Sequence, residues 1–121
     1  MPKVKIWHNP RCSKSRQTLA LLEEMDVELE VRRYLDDVPS VDELQEVATM
    51  LGMTAREWMR SKESIAKELN LKSDEHSEED IFSAMHAHPK LIERPVVIVG
   101  DQAKLGRPPE ALGPWMETLL K

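Results

Sequence analysis

The one cysteine of the chain, Cys12, stands in the segment His8-Asn9-Pro10-Arg11-Cys12-Ser13-Lys14-Ser15-Arg16, whose residue types are those that make a thiol reactive. His8 lies four residues before it, Arg11 adjoins it, and Lys14 and Arg16 follow, so four side chains that are or can become cationic surround the sulfur. Positive charge favours the thiolate, which is the attacking species. Ser15 can donate its hydroxyl proton back to the sulfur. The plain alternative is a structural free cysteine acting as a small hydrophobe; the charged loop favours a reactive thiol.

Spacing separates the chemistries open to such a thiol. A Cys-x-x-Cys redox pair needs cysteine where Ser15 stands, so a self-resolving disulfide cycle is excluded. A phosphatase-type loop closes on an arginine six positions after its cysteine, and that position is Thr18. A Cys/His protease dyad with His86 or His88 has no local support. What remains is a cycle in which the thiolate attacks a substrate and a thiol from another molecule resolves the adduct.

The elements that must position Cys12 follow from periodicity. Val4 to Trp7 alternates apolar and polar residues and runs into His8-Asn9-Pro10, the pattern of a short strand ending at a stiffened loop. From Cys12 or Ser13 a helix is predicted, with Thr18, Leu19, Leu22 and Met25 on one stripe and an end near Asp26. Its N-terminus, with unpaired N–H groups and a favourable dipole, suits a thiolate. Glu28 to Tyr34, with Leu29 and Val31 alternating with polar neighbours, predicts a second strand; strand, helix, strand with a right-handed crossover makes the two strands parallel.

Residues 40–90 read as a helical insert. Ser40-Val41-Asp42-Glu43 is a capping-box pattern followed by Leu44, Val47, Ala48 and Leu51. Ser77-Glu78-Glu79-Asp80 opens a further helix in the same way, with Ile81, Phe82 and Met85 inward and His88-Pro89 ending it. Val96 to Val99, Gly100-Asp101 and Gln102 to Leu105 predict a hairpin. A last helix is expected from Pro114, after a Pro108-Pro109 turn. The order is that of a single α/β domain, residues 1–121, with a thioredoxin-like mixed four-stranded sheet and flanking helices (1–39 and 91–121) and an inserted helical subdomain (40–90).

Composition narrows the function classes. The 121 residues carry 17 Lys plus Arg against 22 Asp plus Glu, a net charge of -5, so no global basic surface for nucleic acid or anionic membrane is expected and any anion site must be local. A lone cysteine excludes an intramolecular disulfide and a cysteine-based zinc site, and a reducing cytoplasmic compartment is the natural expectation. No segment has the length and apolarity of a signal peptide core or a membrane span, so an unprocessed soluble chain is expected.

Candidate anion ligands are Arg94, ahead of Pro95 at the mouth of the third strand through a bond that could be cis, Arg107, ahead of Pro108 after the hairpin, and Arg60 in the insert. Spacing alone cannot bring them together, and each taken singly reads as a solvated or salt-bridged surface group. His76, His86 and His88 do not have the spacing of a metal site, since residues two apart on a helix do not face each other. Trp58 and Trp115 are expected in packing, while Met50, Met53 and Met59 fill core gaps or mark a partner surface.

The run His8 to Leu19, together with Leu91-Ile92-Glu93-Arg94-Pro95 and Gly106-Arg107-Pro108, strongly resembles the glutathione- and glutaredoxin-dependent arsenate reductase family, in family order and over nearly the whole chain. The resemblance implies an oxidoreductase with Cys12 as nucleophile, His8 and Ser15 holding its thiolate, and Arg60, Arg94 and Arg107 binding the oxyanion. Asn9, Arg11, Arg16 and Pro95 would support the loop. It further implies arsenate as substrate, glutathione as co-substrate, glutaredoxin as partner, no bound cofactor or metal, and a monomer. Sister branches act as glutathione-dependent thiol reductases or as non-catalytic regulators that bind a protein partner. The regulators usually carry a Cys-x-x-Cys switch, and Ser15 stands against that branch.

Overall fold

The computed structural model describes residues 3–71, 73, 75–106 and 112–120, without the side chains of 119 and 120. Contacts divide the chain into two compact units, Met1–Asp37 with Arg94–Lys121, and Val38–Glu93. The second unit is a few residues wider at each end than the 40–90 insert read from the sequence.

In the first unit β1 (Lys3–Trp7), α1 (Ser13–Glu23), β2 (Glu28–Arg32), β3 (Val96–Val99), β4 (Gln102–Leu105) and α6 (Leu112–Leu120) follow in order. The four strands form one sheet in the order β2-β1-β3-β4. β1 runs parallel to β2, with Trp7 opposite Arg32, and antiparallel to β3, with Trp7 opposite Val96. β3 turns into β4 through Gly100-Asp101, where Gly100 takes φ +60, the left-handed backbone that a glycine-led two-residue turn requires. Val4, Ile6, Leu22, Val27, Val97, Leu112 and Met116 form the buried core, flanked by Leu19, Met25, Leu29, Val99 and Trp115.

Three boundaries differ from the periodicity. α1 stops at Glu23 rather than near Asp26, because Met25 N–H turns back to Leu22 O and Val27 N–H to Met25 O. β2 stops at Arg32, two residues before Tyr34, because Arg33 O accepts from the N–H groups of Asp36 and Asp37 and closes a turn. Within β2 the period-2 alternation is half used: Leu29 packs on the core while Val31, two residues on along this edge strand, is 45% exposed. α6 begins at Leu112, placing Pro114 in its first turn instead of at its first position; N–H groups there lack helical partners anyway, so the ring costs no bond. The Pro108-Pro109 turn lies outside the described residues.

The second unit holds α2 (Val41–Leu51), α3 (Ala55–Trp58), α4 (Ser64–Glu68), α5 (Glu78–Ala87) and a 3₁₀ turn (Pro89–Leu91). Both capping boxes read from the sequence are formed: Ser40 Oγ accepts from Glu43 N–H while Glu43 accepts from Ser40 N–H, and Ser77 and Asp80 reciprocate likewise. A third box, Thr54 with Glu57, opens α3, a single turn too short for its periodicity to be read. α5 packs on α2, α3 and the 3₁₀ turn through Ile81, Phe82 and Met85. Trp58 is fully buried, its Nε1–H donating to Glu93 O at 3.2 Å.

Candidate active site at the end of the sheet

β1 delivers the chain into the loop His8–Arg11 at the sheet end where β2 also finishes and where β3 begins and β4 ends. Such an end, beyond the carboxyl termini of parallel strands, is where α/β sheets bind ligands. His8 N–H donates to Arg32 O at 2.8 Å, prolonging the β1–β2 pairing by one residue, and the peptide between Arg94 and Pro95 is cis.

Cys12 is the N-cap of α1, with extended backbone, and its N–H donates to Asn9 O at 3.0 Å. Its own side chain caps nothing, and it is 8% exposed. The loop is closed through neutral acceptors: Asn9 Oδ1 accepts from Arg11 N–H at 3.0 Å, Ser15 Oγ from Asn9 N–H at 3.0 Å, and Pro10 O from Arg16 Nη1 at 3.2 Å. Among the described residues Arg11, Lys14 and Arg16 make no ion pair, so their charges stand uncompensated on the loop and the first turn of α1.

His8 and Ser15 depart from the sequence expectation. His8 Nδ1 lies 2.7 Å from Ser15 Oγ, and both residues are buried. Burial, then the positive charges of Arg33 and Arg16, lower the His8 pKa below its usual 6.5, with Glu23 opposing weakly; at neutral pH His8 is therefore a neutral imidazole and drops out of the set of cations around the sulfur. Ser15 Oγ accepts from Asn9 N–H and lies against His8 Nδ1, and no hydrogen bond to Sγ is made among the described residues. Arg33 was not a candidate in the sequence. Its signal is topological, since the residues that follow a parallel neighbour of β1 emerge beside the loop that follows β1.

The candidate anion ligands fare differently. Arg94, half-buried, leads through Pro95 into β3 at this sheet end. Arg107 lies outside the described residues. Arg60, in the second unit, is held by carboxylates: Nη1 is 2.8 Å from Glu63 Oε1 and Nε is 3.7 Å from Glu93 Oε1. Two histidines of the insert brace backbone. His76 Nε2 meets Leu69 O at 3.1 Å, and His86 Nδ1 meets Pro39 O at 2.8 Å. Met59 is buried, and Met50 and Met53 are half-buried. No helix of the described residues is long and apolar enough to cross a membrane.

A mixed β2-β1-β3-β4 sheet, with a lone cysteine at the N-cap position of the helix after its first strand, defines a thioredoxin-like α/β protein with a thiol site. More narrowly, the chain belongs to the ArsC family, whose pattern matches residues 7–114. It is 52% identical over 109 residues to the uncharacterized protein YfgD of Escherichia coli K12, covering 89% of this chain and 92% of that one. It is 49% identical over 110 residues to an arsenate reductase of Haemophilus influenzae, covering 90% and 95%. The solved structure of an arsenate reductase from Vibrio cholerae superposes with a TM-score of 0.88 at 50% identity, covering 91% of this chain and 94% of that one.

Proposed function

We propose that the protein is an arsenate reductase in which the Cys12 thiolate attacks arsenate and thiols from other molecules complete the reduction. The observation that carries this reading is the placement of the chain's single cysteine, at the N-cap of α1 beside uncompensated cationic side chains. Membership of the ArsC family and relatives named arsenate reductase support the substrate. Sγ displaces one arsenate oxygen, which leaves as hydroxide and takes up a proton. Glutathione then replaces a second oxygen on arsenic. A glutaredoxin thiolate attacks the glutathione sulfur, the sulfur–arsenic electron pair passes to arsenic, and a glutathione–glutaredoxin disulfide departs. Hydrolysis of the remaining Cys12–arsenic(III) bond releases arsenite and restores the thiol.

The chain's own residues bind, orient and manage protons in this scheme. Guanidinium groups suit arsenate, a tetrahedral dianion, because their planar forks give paired charge-assisted hydrogen bonds and lower its repulsion of a thiolate. Arg94 and Arg107 are assigned this role by resemblance; Arg60 shares it only by giving up a carboxylate partner. His8 acts as a neutral partner of Ser15: with Nδ1 protonated it donates to Ser15 Oγ, leaving the Ser15 hydroxyl proton for a thiolate one helical turn back. Catalysis in the cytoplasm by a monomer completes the proposal. Arsenite formation from arsenate with glutathione and glutaredoxin, compared between the wild type and Cys12→Ser, tests it. Cys12-dependent arsenite is expected; a wild type that forms none, or reduces only mixed disulfides, overturns it in favour of a thiol reductase.

A further inference from the structure

Three helical threonines of this chain treat their hydroxyls differently. Thr49 Oγ1 donates to Gln45 O at 3.0 Å and Thr118 Oγ1 to Pro114 O at 3.1 Å, the ordinary bond to the carbonyl one turn back. Thr18, on α1, is completely buried, where a satisfied hydroxyl matters most, yet Oγ1 has no hydrogen-bond partner among the described residues. Its side chain is turned instead onto Gly106, the residue that follows β4. A Cβ on Gly106 would lie 2.6 Å from Thr18 Oγ1, 3.2 Å from Thr18 Cγ2 and 2.8 Å from Pro95 Cγ. Gly106 N–H in turn donates to Pro95 O at 2.9 Å. The helix capped by Cys12, the residue that opens β3 and the residue that closes β4 therefore meet at one point with no room for a methyl group.

We propose that Thr18 is a positioning residue: seated on Gly106 and Pro95, it fixes the Arg94-Pro95 step against the helix that carries Cys12. The inference rests on the reading of Cys12 as a thiolate that meets an oxyanion. A close-packed junction transmits displacement instead of absorbing it, and reacting groups lose much of their rate when misplaced by about 1 Å. The small hydroxyl oxygen, turned toward the glycine at the cost of its own hydrogen bond, permits an approach that a methyl carbon there would widen. Because Arg94 precedes Pro95, the junction sets how far its charge stands from the sulfur.

The test uses the sole cysteine as its own probe. Both iodoacetate and iodoacetamide alkylate the thiolate, so the ratio of their rates cancels the thiolate fraction and reports the charge around Sγ. Arg94→Ala should lower that ratio, and Gly106→Ala should lower it by about threefold, the size expected for moving one charge by a few ångström in a solvated site. Thr18→Ala in the Gly106→Ala background removes the two Thr18 atoms in the way, leaves the Pro95 Cγ contact, and should restore part of the ratio. An unchanged ratio in Arg94→Ala or in folded Gly106→Ala, or no recovery in the double variant, overturns the proposal. If Gly106→Ala does not fold, Thr18→Ala alone, which opens the junction, must lower the ratio, and an unchanged value overturns it. A wild type without arsenate turnover, but with the expected ratios, removes the reductase reading and leaves the positioning role; turnover with indifferent ratios does the reverse.

Discussion

The cysteine loop of the first unit and the Arg60 corner of the second hold their arginines in opposite ways. On the cysteine loop Arg16 is held by a carbonyl, Pro10 O, and Arg11 and Lys14 lack carboxylate partners among the described residues, so positive charge stays available. In the insert Arg60 is held by Glu63 and Glu93, which more than cancel it. A carbonyl fixes a guanidinium without neutralising it, whereas a carboxylate fixes and neutralises together. In the proposed reaction an anion would meet attraction at the loop and competition at Arg60. The same contrast runs through the polar side chains: Ser15 and His8 are buried and neutral beside the cysteine, while in the insert half-buried Glu43 and exposed Asp80 cap α2 and α5.

The largest effect expected is from Ser15→Ala, which strips the buried His8 Nδ1 and Asn9 N–H of their partner and should cost about 2 kcal/mol, read as a lower urea midpoint at unchanged slope. A midpoint equal to wild type would mean that the loop is not held through this oxygen. Next comes the neutrality of His8. Its folded pKa is depressed, so the unfolded chain binds more protons below pH 6.5; stability is full above that value and falls as pH drops through the folded pKa. His8→Gln should flatten that acid-side slope in a series of denaturation curves, and an unaltered slope would place the titration elsewhere.

In the insert, Ser77→Ala removes one half of a capping box and should cost about 1 kcal/mol, measured by chemical denaturation. The smallest change in stability, under about 1 kcal/mol, is expected of Glu63→Gln, since the pair it breaks is partly solvent-exposed. It carries the sharpest test of the contrast. With one competitor neutralised, Arg60 should bind the oxyanion better, seen as a lower KM for arsenate at unchanged kcat. An unmoved KM would make Arg60 a structural ion pair.

Legibility in the sequence followed the range of the interaction. Ser40 with Glu43 and Ser77 with Asp80 are three residues apart, and the side chains that make those caps are the signal itself. The Gly100-Asp101 turn is equally local. Helix and strand ends were less legible, because the bonds that stop α1 and β2 are backbone turns available to almost any residue. Thr18 was visible only as part of an apolar stripe; its contact with Gly106 spans most of the chain and exists only once β4 lies beside β3 and α1 covers that end of the sheet.

By itself the sequence determined that a Cys12 nucleophile has to draw every further thiol from another molecule, because the chain contains no second cysteine. It also determined that three basic residues, Arg11, Lys14 and Arg16, stand within four positions of that sulfur. Tertiary structure decided how far these groups are held from charge or matched: folding buries His8 near Arg33 and Arg16 and so disfavours its protonation, and Arg60 is compensated because Glu93, far along the chain, folds back onto it. Charge and hydrogen bonding at a site depend on desolvation and on neighbours brought from afar, and neither is encoded at a fixed spacing.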